Sequence, residues 1–469
     1  VHHQTFDAQG APCTDRQTEP IQYRKIDVPR ENVMRKSTIA TLTAGAFLSM
    51  NAYAINLVQV YQEALANDAP YASSRATLTA GQEKSVQGRA GLLPTVGLTA
   101  NATRTNLPVD FLPDRNSRGY TLSLSQPLFN IGNWENYQKG NLSAAFSEAQ
   151  FAQAQQDLIV RVAQAYFDVL TAQDTLASVQ AQKVAITEQL AAAKRNFEVG
   201  TTTITDSQEA QARYDLTLAQ EFAAQSDLEI RRNALQQIIG KPAGELASLR
   251  PGMKINSPEP AQIEKWVDSA EQQNYSVLQQ QLALESAKHD IKLNRAGHYP
   301  TVTLVASRNY DSDRNVSIGS GGSVSVPNTN SIGVQVAVPI FSGFTVTSKV
   351  RESIALEDKA RSDLENVRRT AAQGARQAFL GVNSGLAQVR ALEAAEVSSQ
   401  SALDSNRLGY QVGVRINIDV LNAQQQLYTT RQNLAKARYD TIMNGLKLKS
   451  AAGTLKEEDL AQVNALLQH

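Results

Sequence analysis

The chain has 469 residues, room for one large domain or two to three ordinary ones. Its 45 basic and 45 acidic side chains balance, which removes the electrostatic case for a nucleic-acid partner. Aromatics make up only 6% while Ala and Gln are abundant, a composition that suits long, closely packed helices better than a globular enzyme core.

Residues 1–33 are polar, hold Pro12, Pro20 and Pro29, and show no periodicity. They are expected to be an upstream extension outside the mature protein. Residues 34–54 read as a secretory signal peptide. Met34, Arg35 and Lys36 form a positive start, Ser37 to Met50 a short apolar stretch, and Ala52-Tyr53-Ala54 a small-x-small cleavage site. The mature chain then begins at Ile55. Cys13 is the only cysteine, so no disulfide forms within the chain, and no cysteine comes after the apolar stretch to take a lipid anchor.

An internal repeat organises the chain from there on. Arg89 to Val96 (RAGLLPTV) returns as Arg295 to Val302 (RAGHYPTV), with six of eight positions identical at an offset of 206. Pro127-Leu128-Phe129 returns as Pro339-Ile340-Phe341 at 212. Ala165, Val199-Gly200, Asp206, Ala210-Gln211 and Gly240 match Ala378, Val412-Gly413, Asp419, Ala423-Gln424 and Gly453 at 213. The offset grows only between 101–125 and 307–337, as a surface loop of unequal length would make it. Two copies are expected, over 55–260 and 261–469.

In the first copy, Asn141 to Val199 holds neither Gly nor Pro. At about 1.5 Å per residue a helix of that length spans roughly 90 Å. Its apolar stripe is narrow and built of small residues (Ala145, Ala149, Ala152, Leu158, Val162, Ala165), which suits close helix–helix packing. Gly200 interrupts it, and a second helix runs from about Ile204 to Ile239, where Gly240-Lys241-Pro242 stops it. The pattern predicts a long helical hairpin over about 141–239 with its tip at Gly200. A second hairpin is predicted over about 344–452 with its tip at Gly413. Gly374, Gly381 and Gly385 inside it mark either close packing or a bend.

Period-two segments precede each hairpin, over about 94–104, 119–128, 300–308 and 331–340. Val96, Leu98 and Ala100 alternate with Thr95, Gly97 and Thr99; Ile332, Val334 and Val336 alternate with Gly333 and Gln335. Each is about the 9–11 residues that a tilted strand needs to cross a bilayer. A half-buried soluble strand shows the same alternation, but the signal peptide favours the membrane. The linking segments are 103–119 and 307–331. The second carries Gly319 to Ser323 without the Lys or adjoining helix of a phosphate loop, and reads as an outer loop. Trp134 and Tyr137 suit an interfacial aromatic belt. Four strands cannot close a barrel by themselves, so an oligomer is required, and three chains giving twelve strands is the simple solution.

The C-terminal stretch carries a more specific signal: Gly409 to Arg415 (GYQVGVR), Ile418 to Ala423 (IDVLNA), Leu434 to Tyr439 (LAKARY) and Ser450 to Leu455 (SAAGTL). Its first-copy counterpart is Asn196 to Gly200 and then Ile204-Thr205-Asp206. Over about 55–467 the chain resembles the TolC family of outer-membrane efflux and secretion channels. The resemblance implies a mainly α fold with transmembrane β: a homotrimeric 12-stranded outer-membrane barrel continued by a long periplasmic α-helical barrel. Its equatorial belt would come from about 240–275 and the C-terminal segment. It also implies passive export, with partners in a periplasmic membrane-fusion adaptor, an inner-membrane RND, ABC or MFS transporter, and outer-membrane lipid. Carried over by motif, Asp206, Tyr410 and Arg415 would constrain the closed periplasmic end. Asp419 would form an acidic ring at the pore entrance, while Asn422 stands at the position of a second ring.

Two other classes are weaker. An exported coiled-coil scaffold or adhesin explains the helices but not four strands of bilayer length. An enzyme is not expected, nor any cofactor or metal: there is no Gly-x-Ser-x-Gly, and His2, His3, His289, His298 and His469 have no metal-ligand spacing.

Overall fold

The computed structural model describes residues 54–468 apart from 106–114, 313–314 and 319–320. The expected extension (1–33) and nearly all of the expected signal (34–54) lie outside the described residues.

The chain traces one path twice. The first copy runs α1 (Leu57–Asn67), α2 (Ala69–Ala90), β1 (Thr95–Thr105), β2 (Arg115–Phe129), α3 (Ile131–Glu198) and α4 (Ile204–Ile239). The second runs α5 (Ile263–Gln273), α6 (Tyr275–Arg295), β3 (Thr301–Asp311), a short β4–β5 hairpin (Asn315–Ile318, Gly322–Ser325), β6 (Asn328–Ala337), α7 (Thr345–Gln411) and α8 (Asn417–Ala451). Helix α9 (Glu457–Asn464) ends the chain. The added length in the second copy thus contains the β4–β5 hairpin, a paired element where sequence reasoning expected a plain loop.

The four long strands form one antiparallel sheet in the order β1-β2-β3-β6. They depart from their expected bounds at the ends. The last was expected over 331–340, but pairing runs from Asn328 to Ala337. Pro339 lacks the N–H that a continuing ladder needs. The second reaches Phe129, past a bulge at Pro127.

Helix α3 is 68 residues long and α7 is 67, about 100 Å each. The first begins at Ile131 rather than 141, taking in Gly132 and Gly140. Gly140 is tolerated there because α2 crosses it: a Cβ at this position would lie 2.5 Å from the Lys84 carbonyl oxygen. Gly381 and Gly385 are also close-packing positions, facing Asn444 and Thr441 of α8.

The shorter helices stack end to end beside the long ones. Gly240 closes α4 in the left-handed conformation (φ 76°) and abuts Asn67, just before the Asp68 cap of α2. Gly453 (φ 72°) abuts Gln273, and Asn274, the cap of α6, donates to the Ala451 carbonyl at the end of α8 (2.9 Å). The α2/α4 and α6/α8 stacks therefore make four helical strands with α3 and α7.

The largest apolar core lies where the stacks join. Leu57 and Tyr61 of α1, Tyr166, Phe167 and Leu170 of α3, Ile239, Tyr439 and Leu446, and Leu460 and Leu467 pack together there. Tyr166 is fully buried and donates to the Ala247 carbonyl (2.7 Å). This equatorial layer draws on 55–67 as well as on the expected 240–275 and the C-terminal segment.

Gly140→Ala is expected to lower thermal stability. Overpacking against a backbone carbonyl costs about 1–3 kcal/mol, more than the ~1 kcal/mol gained in helix propensity. Gly374→Ala, where nothing lies within 4 Å of the added carbon, is expected to raise it. Unfolding midpoints of the two purified variants, read against the parent, test the opposite signs.

Candidate functional site

The sheet has two chemically distinct faces. Register places Val96, Leu124, Ala306 and Ile332 in one row, and Leu304 beside Val334 and Val302 beside Val336 in the rows toward the helices. Leu98 is 69% exposed in the single chain, Ile332 79% and Val336 60%. A contiguous apolar surface so open needs a non-aqueous neighbour. The opposite face is small and polar, with Thr121 donating to Asn309 (2.9 Å) and Ser307 bonded to Ser331 (2.8 Å). Where the sheet meets the helices, Trp134 lies against Tyr137 and Phe341 against Phe344, with Tyr299 exposed nearby in sequence. Aromatic rings at that level suit a membrane–water boundary. No helix among the described residues is long and apolar enough to cross a membrane, so the sheet is the element with the surface to do so.

At the far end of the long helices the two tips are built alike. Gly200 (φ 75°) and Gly413 (φ 80°) take the left-handed turn that lets a helix double back. The Thr201 N–H closes on the Asn196 carbonyl and the Val414 N–H on the Gly409 carbonyl, both at 2.9 Å. Asp206 and Asp419 each sit in the first turn of their helix, α4 and α8, where the helix dipole favours a carboxylate.

Among the residues singled out from sequence, Arg415 faces Asp419 (3.6 Å), one turn along the chain, and not Asp206. This exposed pair is local, because both residues lie at the N-terminal end of α8. The Tyr410 hydroxyl receives a long bond from Asn196 (3.4 Å). Asn422 accepts from Arg213 of α4 (2.9 Å).

The residue that sequence reasoning missed is Asn417. It is fully buried, accepts from Gln189 of α3 (2.5 Å) and donates to the Asp206 carbonyl (3.1 Å), so it ties three helices together. Its repeat counterpart is Ile204; an apolar-to-polar change between copies was the available signal. Farther along the same seam Gln182 donates to Gln425 (2.7 Å) and the Tyr428 hydroxyl to the Ala181 carbonyl (3.2 Å). The two hairpins of one chain are thus joined at the tips by polar bonds around a small apolar patch of Ile186, Leu190, Ala210 and Leu421.

Higher on the α3–α8 contact, Tyr439 donates to Asp174 (2.6 Å). Burial pushes the Asp174 carboxyl above its ordinary value, outweighing the Tyr439 bond and the nearby Arg438 cation. The Tyr439 hydroxyl is raised as well, first by burial and then by the Asp174 charge.

Residues 60–241 and 266–454 match the family model described as outer membrane efflux protein, one segment falling in each copy. The chain belongs to that family. It is 36% identical to outer membrane protein TolC of Vibrio cholerae over 428 residues, covering 90% of this chain and 96% of that one. It is 33% identical to the alkaline protease secretion protein AprF of Pseudomonas aeruginosa, covering 92% of each. The fold matches the solved CmeC outer membrane channel of Campylobacter jejuni with a TM-score of 0.74 at 16% identity, over 92% of this chain and 98% of that one. It also matches VceC of Vibrio cholerae at 0.72 and 19% identity, over 85% and 96%.

Membership settles the broad reading: this is an outer-membrane channel protein, with its sheet in the bilayer and its helices in the periplasm. Three copies of the β1-β2-β3-β6 sheet supply the strands of a twelve-stranded barrel above twelve helical strands. An exported scaffold without a channel is set aside.

Asn417→Ala is expected to loosen the tips and raise single-channel conductance, since it strands Gln189 and the Asp206 carbonyl at about 1–3 kcal/mol per unsatisfied group. Planar-bilayer recording checks it. A second expectation concerns pH. Folding raises the Asp174 pKa above 3.8, so the folded state binds more protons there than the unfolded one. This contribution to stability therefore falls as pH rises through that window. Asp174→Asn should remove the slope, and denaturant midpoints of the parent, read against the variant's, should fall as pH rises from the ordinary carboxylate value of 3.8.

Proposed function

We propose that the chain is the passive exit duct of tripartite drug-efflux assemblies and of type I protein secretion, closed at rest by its periplasmic helix tips. It docks to a periplasmic membrane-fusion adaptor and an inner-membrane RND, ABC or MFS transporter and opens by helix rearrangement. Relatives named for efflux and for protease secretion both support this, because a passive duct takes its cargo from the pump.

The observation that carries the reading is the seam at the tips. Its hydrogen bonds are each worth about 0.5–1.5 kcal/mol, enough together to hold a closed state yet open to a partner that binds the tips. Phe197, Val199, Leu408, Val412, Val414 and Ile416 stand exposed around Gly200 and Gly413, an apolar surface suited to such a partner.

In this reading Asp206, Tyr410 and Arg415 constrain the closed end between neighbouring chains as well as within one. Arg415 can exchange its exposed bond to Asp419, worth about 0.3–0.5 kcal/mol, for an acceptor across the subunit boundary. Three Asp419 carboxylates then ring the constriction and favour cations. With Asn422 bonded to Arg213 at the second position, selectivity rests on one ring.

Bilayer recordings test both parts. Asp206→Ala with Arg415→Ser is expected to raise conductance severalfold; unchanged conductance in that double variant counts against the gate. Asp419→Asn is expected to reduce the preference for cations, and an anion-selective parent channel would overturn the ring.

A further inference from the structure

The outward face of the sheet is not apolar throughout. Toward the end away from the helices its rows read Leu98, Leu122, Arg308 and Asn330, then Ala100, Tyr120, Tyr310 and Asn328, then Ala102 and Arg118. The Tyr120 and Tyr310 rings stack with centroids 5.4 Å apart. Arg308 lies one row nearer the membrane centre than this pair and Arg118 one row farther out. Both side chains are exposed. Among the described residues neither has an acidic partner, and no Asp or Glu occupies an outward position on the four strands. Arg104, on the same face, is engaged within the chain and is left out of the site.

A guanidinium between Leu122 and Asn330 at the lipid surface is unfavourable unless it finds an anion or reaches the headgroups. Arg308 has no anion among the described residues, and its long stem can run past Tyr310 toward the level of Arg118. Arg118 and Leu122, the cross-strand partner of Arg308, are four residues apart on β2, about 13 Å at the rise of a strand. The surface so formed is two cations flanking an aromatic platform at the sheet end away from the helices, the kind of ring pair that suits a membrane–water boundary. Arginine's planar fork takes phosphate by two parallel bonds.

We propose that Arg118 and Arg308, with Tyr120 and Tyr310 between them, bind the phosphate-bearing headgroup of an outer-leaflet glycolipid. The threefold barrel carries three such sites. Charge complementarity selects this occupant over a zwitterionic phospholipid, whose own amine competes for the phosphate. The site stands apart from the periplasmic gate and does not depend on how that gate works.

The test uses the full-length trimer in zwitterionic detergent, with bis-phosphorylated lipid A and its dephosphorylated form as probes and native mass spectrometry as the readout. The parent trimer is expected to retain the phosphorylated lipid and not the dephosphorylated one. Arg118→Gln with Arg308→Gln is expected to weaken retention at least tenfold while trimer mass and conductance stay as in the parent. Equal retention by parent and double variant, or of both lipid forms by the parent, would overturn the site. If the double variant does not assemble, Arg308→Lys decides: it keeps the charge and loses the fork, so weakened retention supports the site and unaltered retention overturns it.

Discussion

Hydrocarbon offers no water to a peptide N–H or C=O, and each unmatched group costs several kcal/mol there. The sheet β1-β2-β3-β6 satisfies its interior strands and leaves two open edges, so the chain is a fraction of a barrel and closure needs other copies. That requirement fixes the soluble half as well. Each long strand adjoins a helix of its own: β1 comes after α2, β2 leads into α3, β3 comes after α6 and β6 leads toward α7. Four strands therefore hand over to four helical strands, and the threefold count set in the membrane is carried into the periplasm.

A hollow helical cylinder has no centre to fill, and this governs where large side chains go. Along most of their length α3 and α7 bury narrow contacts and rely on close approach. Gly140 against α2 and Gly385 against Thr441 are among the points where a side chain would not fit. The large residues Tyr166, Phe167, Leu170 and Tyr439 are held for the equator. There the short helices α1 and α9 and the segment after Gly240 give them a second layer to pack against. One aromatic buries some 150–250 Å², so a small set of them makes the equator the anchored level of the molecule.

Much of this was legible in the sequence because it rests on local rules repeated twice. Gly200 and Gly413 mark the tips through their positive φ, and Gly240 and Gly453 mark the helix ends in the same way. The alternation from Val96 to Ala100 told one face of the sheet from the other. What stayed hidden depends on neighbours distant in sequence. The start of α3 at Ile131 was masked by Gly132 and Gly140, which read as breakers until Leu293 of α6 is seen beside the first and α2 crossing the second. The polar partners at the tips were also out of reach. Asn417 reads as an ordinary helix-start residue, and only the fold brings Gln189 and the Asp206 carbonyl to it. Arg415 shows the converse: motif resemblance named it, while within the chain its carboxylate is Asp419.

The contrast between equator and tips bears on what can move. On the gating proposed above, opening the far end separates the α3–α4 and α7–α8 hairpins there while leaving the equatorial core intact, since exposing that core would forfeit far more than a few hydrogen bonds. Helices α4 and α8 are pinned at their upper ends, Gly240 against Asn67 and Gly453 against Gln273. Helices α3 and α7 run unbroken through the equator and cannot slide without shearing it. The motion left is a swing or unwinding of the lower half about the equator, greatest at Gly200 and Gly413. The Asn196–Tyr410 bond lies nearest that end, with Gln189–Asn417 and Arg213–Asn422 farther along the seam. A polar seam suits that place because water can take over each partner as the helices part, whereas an apolar seam of the same length would resist opening along its whole exposed area.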